Sequence, residues 1–234
     1  MSLPLTKIDL AAFDVVVFDV LGTLVDEPAG LRSAIRAAVP TADPPTVDAL
    51  TARWQQYVAE QQSEIAAGGR SFVDSAVLDA EAAELVLQEA ARLGAATDPV
   101  AAGHLATASE RLPPWPDSVA ELERIARRVP ILALSNAAPA TLLRLAANTG
   151  LRWHEAVSAD AATGYKPAPA LYRRAIEIAH RPAARILMVA AHAWDLRAAQ
   201  SCAMSTCFVA RPVGDPPNAS DRFGAIVEGL SALR

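Results

Sequence analysis

The sequence predicts an α/β protein in which a parallel-sheet core carries a helical insertion. Short apolar runs rich in β-branched residues alternate with helical stretches, the arrangement of βαβ units around a parallel sheet. The runs are apolar on both faces, as strands buried between two layers of helices are. Between the first run and the second lies an Ala-, Gln- and Glu-rich stretch with helical periodicity and no convincing strand.

The elements follow in order. Val15-Val16-Val17-Phe18 reads as the first, fully buried strand. Residues 29–112 read as an insertion of four to five helices. In it Leu50, Trp54, Tyr57 and Val58 share one helical face, and Val77, Leu85 and Val86 mark the core-facing stripe of a second long helix. Further strands are expected at Ile131-Leu132-Ala133-Leu134, more weakly at Glu155-Ala156-Val157, then at Ile186-Leu187-Met188-Val189 and Thr206-Cys207-Phe208-Val209. Helices are expected at 118–128, 138–149, 168–180 and 194–203, with Pro and Gly at many joints. Residues 211–217 form a surface loop before a short C-terminal strand and helix. The domain division is therefore a core of 1–28 and 113–234 around a helical domain of 29–112.

Composition narrows the class of function. Of 234 residues, 52% are hydrophobic and 20% charged, which suits a folded protein. A net charge of -5 gives no basic footprint, so nucleic acid is not an expected partner. No apolar run approaches the roughly 20 residues that cross a bilayer, so no membrane association is expected. The opening MSLPLTKIDLAAFD lacks the layout of a signal peptide, and a cytoplasmic location is the expectation. Cys202 and Cys207 are read as free buried thiols, with a disulfide as the alternative.

In an open parallel sheet, ligands bind beyond the carboxyl ends of the strands, so the polar residues just after each run carry the chemistry. After the first run come Asp19-Val20-Leu21-Gly22-Thr23-Leu24-Val25-Asp26. A carboxylate there, set against backbone N–H groups of the Gly-Thr turn, stays ionised and suits a covalent nucleophile; taken alone, it is equally a turn cap. The second run ends in Ser135-Asn136, small donors that orient an anion or leaving group, or an ordinary turn. Lys166 precedes Pro167, whose ring holds it extended and which is placed to start the next helix; the lysine can neutralise an attacking carboxylate. The fourth run leads into Ala190-Ala191-His192-Ala193-Trp194-Asp195, where Asp195 can fix a water or pair with Lys166.

The four segments in this order resemble the haloacid dehalogenase superfamily over nearly the whole chain. The resemblance implies a Rossmann-like core with a helical cap inserted after the first motif. Most of that superfamily are Mg²⁺-dependent phosphatases with a second Asp two residues after the nucleophile and an acidic residue early in the fourth motif. Here those places hold Leu21 and Ala190-Ala191. Without the acid and with a depleted metal site, phosphoryl transfer is disfavoured, and no Mg²⁺ or other cofactor is expected.

The remaining pattern resembles the type II 2-haloacid dehalogenases: Ser135-Asn136, Tyr165-Lys166-Pro167 with Tyr172 six residues after the lysine, and Ala191-His192-Ala193-Trp194-Asp195. It extends to the fluoroacetate-cleaving branch through Arg53-Trp54 and the segment 69–73. That resemblance implies attack by Asp19 on the halogen-bearing carbon of a short 2-haloacid, with hydrolysis of the ester by a water held by Asp195 together with His192. It implies that Lys166 steadies Asp19, that Thr23 and Ser135 bind the nucleophile or the substrate carboxylate, and that Asn136 holds the halide. Leu21, Tyr172 and Trp194 would shape the pocket. Halide leaves as an anion, which is consistent with the missing acid and metal. The partner is then a small haloacid, and relatives suggest a homodimer.

The sequence departs from that pattern at Leu21, where relatives usually carry Tyr, and at Ala190 and His192. The arginine that grips the halide has no match, since its place falls near Ile65. Arg53 and Arg70 are the candidates for that role, or are solvated surface arginines. His192 either polarises the hydrolytic water or packs on Trp194. The competing functions are another hydrolase activity on this scaffold, such as a weak phosphatase, and a non-catalytic descendant that binds a small carboxylate.

Overall fold

Each central strand is buried along its whole length, and the alternation of its side chains divides the core in two. In β1 (Val15–Asp19) of the computed structural model, which describes residues 7–234, Val16 and Phe18 face one layer while Val15 and Val17 face the other. Residues 1–6, assigned above to the core, lie outside the described residues. The other strands are β2 (Ile131–Ser135), β3 (Glu155–Ser158), β4 (Ile186–Ala190), β5 (Ser205–Val209) and β6 (Ala225–Val227). They form one six-stranded sheet in the order β3-β2-β1-β4-β5-β6. Every pairing is parallel; β1 sets Val16 opposite Ile131 on one side and Val15 opposite Ile186 on the other.

This is the doubly wound order of a Rossmann-like sheet, whose direction of winding reverses between β1 and β4. A crevice opens at that reversal beyond the carboxyl ends of the strands. Asp19 ends β1 beside it, and Ala190 ends β4.

The insertion after β1 holds four α-helices: α1 (Glu27–Ala38), α2 (Pro44–Ala66), α3 (Ser75–Arg92) and α4 (Pro99–Gly103), followed by a 3-10 segment, Leu105–Arg111. Their starts are written in the chain. Asp26, Asp43, Asp74 and Asp98 each accept a hydrogen bond from a first-turn backbone N–H, and three of the four helices have Pro in their first two positions. Leu50 and Trp54 of α2 are buried in the same apolar cluster as Val16 and Phe18, so the insertion packs onto the sheet's own core. Val77, expected in the stripe of α3, is instead exposed at 41%. The buried stripe is Leu78, Ala82, Val86 and Ala90, a strict four-residue spacing that leaves Val77 about 100° round the helix.

The remaining helices are α5 (Ser118–Ala126), α6 (Pro139–Thr149), α7 (Pro169–Ala179) and α8 (Ala193–Ser201). Leu122 of α5 and Leu142 of α6 cover one sheet face; Leu171 of α7 and Leu196 of α8 cover the other. The helix after Lys166 begins at Pro169, not at Pro167 as the sequence suggested: a turn closed by the Ala168 N–H on the Tyr165 carbonyl, at 3.0 Å, comes first. The C-terminal helix is a single 3-10 turn, Leu230–Ala232. Both cysteines are free thiols; Cys207 is buried and Cys202 half-buried. Among the described residues no helix is long and apolar enough to cross a membrane.

Candidate active site

Asp19 is 3% exposed, and its carboxylate is held by side chains where the sequence suggested backbone N–H groups. Thr23 donates its hydroxyl to Oδ2 at 2.5 Å, and the Lys166 ammonium lies 2.6 Å from Oδ1. The turn between them has a specific task. Gly22 adopts φ +79°, which carries the chain round so that Thr23 faces back to Asp19 four residues earlier. The same Thr23 oxygen accepts the backbone N–H of Ala191 at 2.9 Å, which fastens the end of β1 to the end of β4.

Lys166 is buried between three acceptors: Asp19, Asp195 Oδ2 at 2.6 Å, and the Leu134 carbonyl at 3.2 Å. Burial alone would push its pKa down, but the two carboxylates overcome that and leave it above the ordinary lysine range. Burial also raises Asp195, against the pull of Lys166 and with a further push from Asp19. The Tyr172 hydroxyl donates to Asp195 Oδ1, and burial beside that carboxylate pushes its own pKa far up. With both carboxylates ionised, the Asp19–Lys166–Asp195 group is a buried unit of net charge -1.

A cavity of about 200 Å³ opens onto Asp19. Leu21, Ser135, Asn136, Lys166, His192 and Trp194 line it from the sheet side, as the sequence proposed. Ser135 accepts the Ala137 N–H at 3.1 Å, and its own hydroxyl hydrogen remains to donate. Asn136 accepts the Lys166 N–H at 2.7 Å and donates to Gln62 of α2 at 2.9 Å, which ties the insertion to the site. His192 stacks on Trp194 with ring centroids 5.7 Å apart, and its Nε2 lies 3.2 Å from the Leu21 carbonyl. A carbonyl only accepts, so Nε2 carries the proton in this contact and Nδ1 is the basic nitrogen of the neutral ring.

Five of the proposed residues sit elsewhere. Thr23, Tyr172 and Asp195 are fully buried behind the cavity wall and touch it only through Asp19 and Lys166. Arg53 and Arg70 are absent from the lining altogether. Arg70 is bound to both oxygens of Glu81, at 2.7 and 2.9 Å, and to Gln61. Arg53 is half-buried on α2 with Glu60 at 3.8 Å.

The structure adds residues that the sequence reading missed. Glu27, the first residue of α1, and Asp79 of α3 also line the cavity. Behind the Gly22-Thr23 turn, Trp115 donates its indole N–H to the Gly22 carbonyl at 3.1 Å. Arg211 donates to the Thr23 carbonyl at 3.0 Å, pairs with Asp117 at 2.8 Å and lies over the Trp115 ring. Arg211 follows the β5 run, so reading the polar residue after every strand would have found it. Glu27 and Asp79 carry no such signal, because helix periodicity places an acid on a face without saying what the face meets.

The donors do not suit a divalent cation. Asp195 has both oxygens engaged, the Lys166 ammonium stands between it and Asp19, and the rest of the early fourth segment is Ala190 and Ala191. Among the described residues no group of three or more His, Cys, Asp and Glu side chains is arranged to hold a metal.

Residues 13–202 match a known family model, that of haloacid dehalogenase-like hydrolases. The chain belongs to this family. A curated relative, the (S)-2-haloacid dehalogenase of Pseudomonas putida, is 27% identical over 220 residues, covering 93% of this chain and 89% of that one. A solved defluorinating L-2-haloacid dehalogenase superposes with TM-score 0.81 at 28% identity, covering 98% and 97% of the two chains. The L-2-haloacid dehalogenase of Xanthobacter autotrophicus, solved with chloropropionic acid covalently bound, superposes with TM-score 0.75 at 25% identity, covering 94% and 96%. Within the family the resemblance is thus to the 2-haloacid dehalogenase branch.

Proposed function

We propose that this hydrolase removes halide from a short 2-haloalkanoic acid and yields the 2-hydroxy acid, with Asp19 as the covalent nucleophile. The observation that carries this reading is the wall beside Asp19. The residue two positions on, where a proton donor to a leaving alkoxide would stand, is the apolar Leu21, and it lines the cavity. A halide leaves as an anion and needs no proton, so displacement at carbon is the reaction this wall permits. The relative that carries covalently bound chloropropionic acid supports the same route.

In the first step an Asp19 oxygen forms a bond to the halogen-bearing carbon while the carbon–halogen bond breaks, and the carbon is inverted. The fixed lysine and threonine contacts hold the carboxylate for in-line attack. Ser135 and the second amide hydrogen of Asn136 are donors on the sheet side that can serve the substrate and the departing halide. In the second step water attacks the ester carbonyl carbon of Asp19 and the bond from that carbon to the ester oxygen breaks; the water oxygen stays in the restored carboxylate, and the original Asp19 oxygen leaves as the hydroxyl of the hydroxy acid. The proton of that water needs a base in the cavity. Asp195 has no free oxygen and does not line it, so the role falls to Nδ1 of His192, with Asp195 keeping Lys166 charged and in place. No metal takes part in either step.

Single turnover of 2-chloropropionate in ¹⁸O-labelled water tests the route. Label in the Asp19 carboxylate is the expected result; label confined to the product hydroxyl rules the ester out.

A further inference from the structure

The cavity holds more acid than the displacement uses and no cation to receive an anion. Besides Asp19 its wall carries Glu27 and Asp79. Among the described residues that line it, Lys166 is the sole lysine or arginine, and its ammonium is shared between Asp19 and Asp195. A haloacid carboxylate entering here would join a buried unit that is already negative, and an uncompensated buried charge is strongly unfavourable.

We propose that Glu27 receives the anionic end of the substrate: its carboxyl, carrying a proton, donates that proton in a hydrogen bond to the substrate carboxylate, so that binding brings one proton into the cavity. The proposal rests on the haloacid reading above. A carboxylic acid donating to a carboxylate is a charge-assisted bond, and it leaves the cavity with no added unpaired charge. Glu27 opens α1 at the cavity edge and faces titratable groups from every side: Asp79 on α3, His192 before α8, Asp19 on β1 and Lys166, with the Gln55 amide on α2. Burial is the main force that raises Glu27, to about 7; Asp79 adds to it, His192 and Gln55 oppose it, and Asp19 pushes further up. Asp79, 7% exposed, is raised to about 7 as well, by burial against the Ser109 hydroxyl, with Asp74 adding. Two such carboxyls in one wall disfavour double ionisation, which keeps a proton between them where a substrate can use it.

The test compares halide release from 2-chloropropionate and from its uncharged amide between about pH 6 and about pH 9. Taking the ratio of kcat/KM, acid over amide, cancels pH effects that belong to the chemical steps common to both compounds. The ratio is expected to fall about tenfold per pH unit above neutrality. Glu27→Gln should flatten it. Asp79→Asn should keep the slope and move it to lower pH, because a repelling neighbour is gone. Calorimetric binding of 2-hydroxypropionate, in buffers of different ionisation heat, should show uptake of about one proton at about pH 8. A flat ratio in the unmodified protein, a slope that survives Glu27→Gln, or binding without proton uptake overturns the proposal. Halide from neither compound overturns the haloacid reading instead; the calorimetry then decides this one, and failure of the hydroxy acid to bind counts against it.

Discussion

The Tyr172 hydroxyl fills the one oxygen of Asp195 that Lys166 leaves open. The two contacts make Asp195 a holder of charge: it keeps the ammonium beside Asp19 and turns no oxygen to the cavity. Removing either partner should therefore act differently. Asp195→Asn breaks one of the two buried ion pairs of Lys166 and leaves its ammonium with Asp19 alone, so it is expected to destabilise by about 3 kcal/mol, the low end for a broken buried pair. Tyr172→Phe removes a neutral donor and should lower stability by only about 1–2 kcal/mol, with turnover reduced but present. Urea unfolding of both variants gives the comparison; equal losses would contradict it.

His192→Asn should separate the two chemical steps. Displacement by Asp19 does not use the imidazole, so halide is expected in a burst of about one equivalent followed by a slow phase. Intact-protein mass spectrometry during that phase should find the Asp19 ester. Steady turnover without a burst would place the base elsewhere.

Gly22→Ala attacks the same ring through the backbone. The position has φ +79°, and a Cβ there would lie 2.6 Å from His192 Nε2. The strain and the clash together are expected to lower stability by about 1–3 kcal/mol. Since the ring must also move, hydrolysis of the ester should slow more than release of halide. Thermal unfolding and single-turnover kinetics read the two effects.

Asp79 gives a stability prediction with a definite sign. Its folded pKa of about 7 stands above the unfolded value of 3.8, so the folded protein binds more protons between those values. Stability is then highest below the unfolded value and falls as pH rises through about 7, levelling off beyond. Asp79→Asn has no charge to bury. It should unfold at a higher temperature than the unmodified protein at pH about 8, and the gap should close toward pH about 4. A gap of constant size would show that the carboxyl is not the cause.

Arg211 braces the Gly22-Thr23 turn from behind, through the Thr23 carbonyl. Arg211→Met keeps bulk over the Trp115 ring but loses the bond to the Thr23 carbonyl and strands Asp117. The expected result is a fall in kcat of about tenfold with KM little changed, since the nucleophile and not the pocket wall is loosened. Arg211→Lys should restore part of it. Loss confined to KM would assign the arginine to substrate.

Much of the fold was legible because buried parallel strands write continuous apolar runs: the runs at Val15, Ile131, Ile186 and Thr206 are β1, β2, β4 and β5. Helix starts in the insertion were equally plain, each an Asp before the first turn. Asp19, Ser135, Asn136, Lys166 and His192 could be picked out because each follows a strand at the end where the sheet opens. Two limits had physical causes. Val77 and Leu78 are both apolar, and only the partner surface decides which one is covered. Arg70 and Glu27 are both charged insertion residues; which of them meets the cavity depends on how the helices pack, and no local pattern records that.

The place of β1 in the sheet also bears on how the chain is made. It emerges first from the ribosome, yet its two pairing partners begin at Ile131 and Ile186. Through most of synthesis this strand, buried along its whole length in the folded protein, has both edges open, with only the insertion helices nearby to shelter it. Yield in a heterologous host should then depend on elongation rate and on chaperones that hold extended apolar segments, and truncations ending before β4 should aggregate.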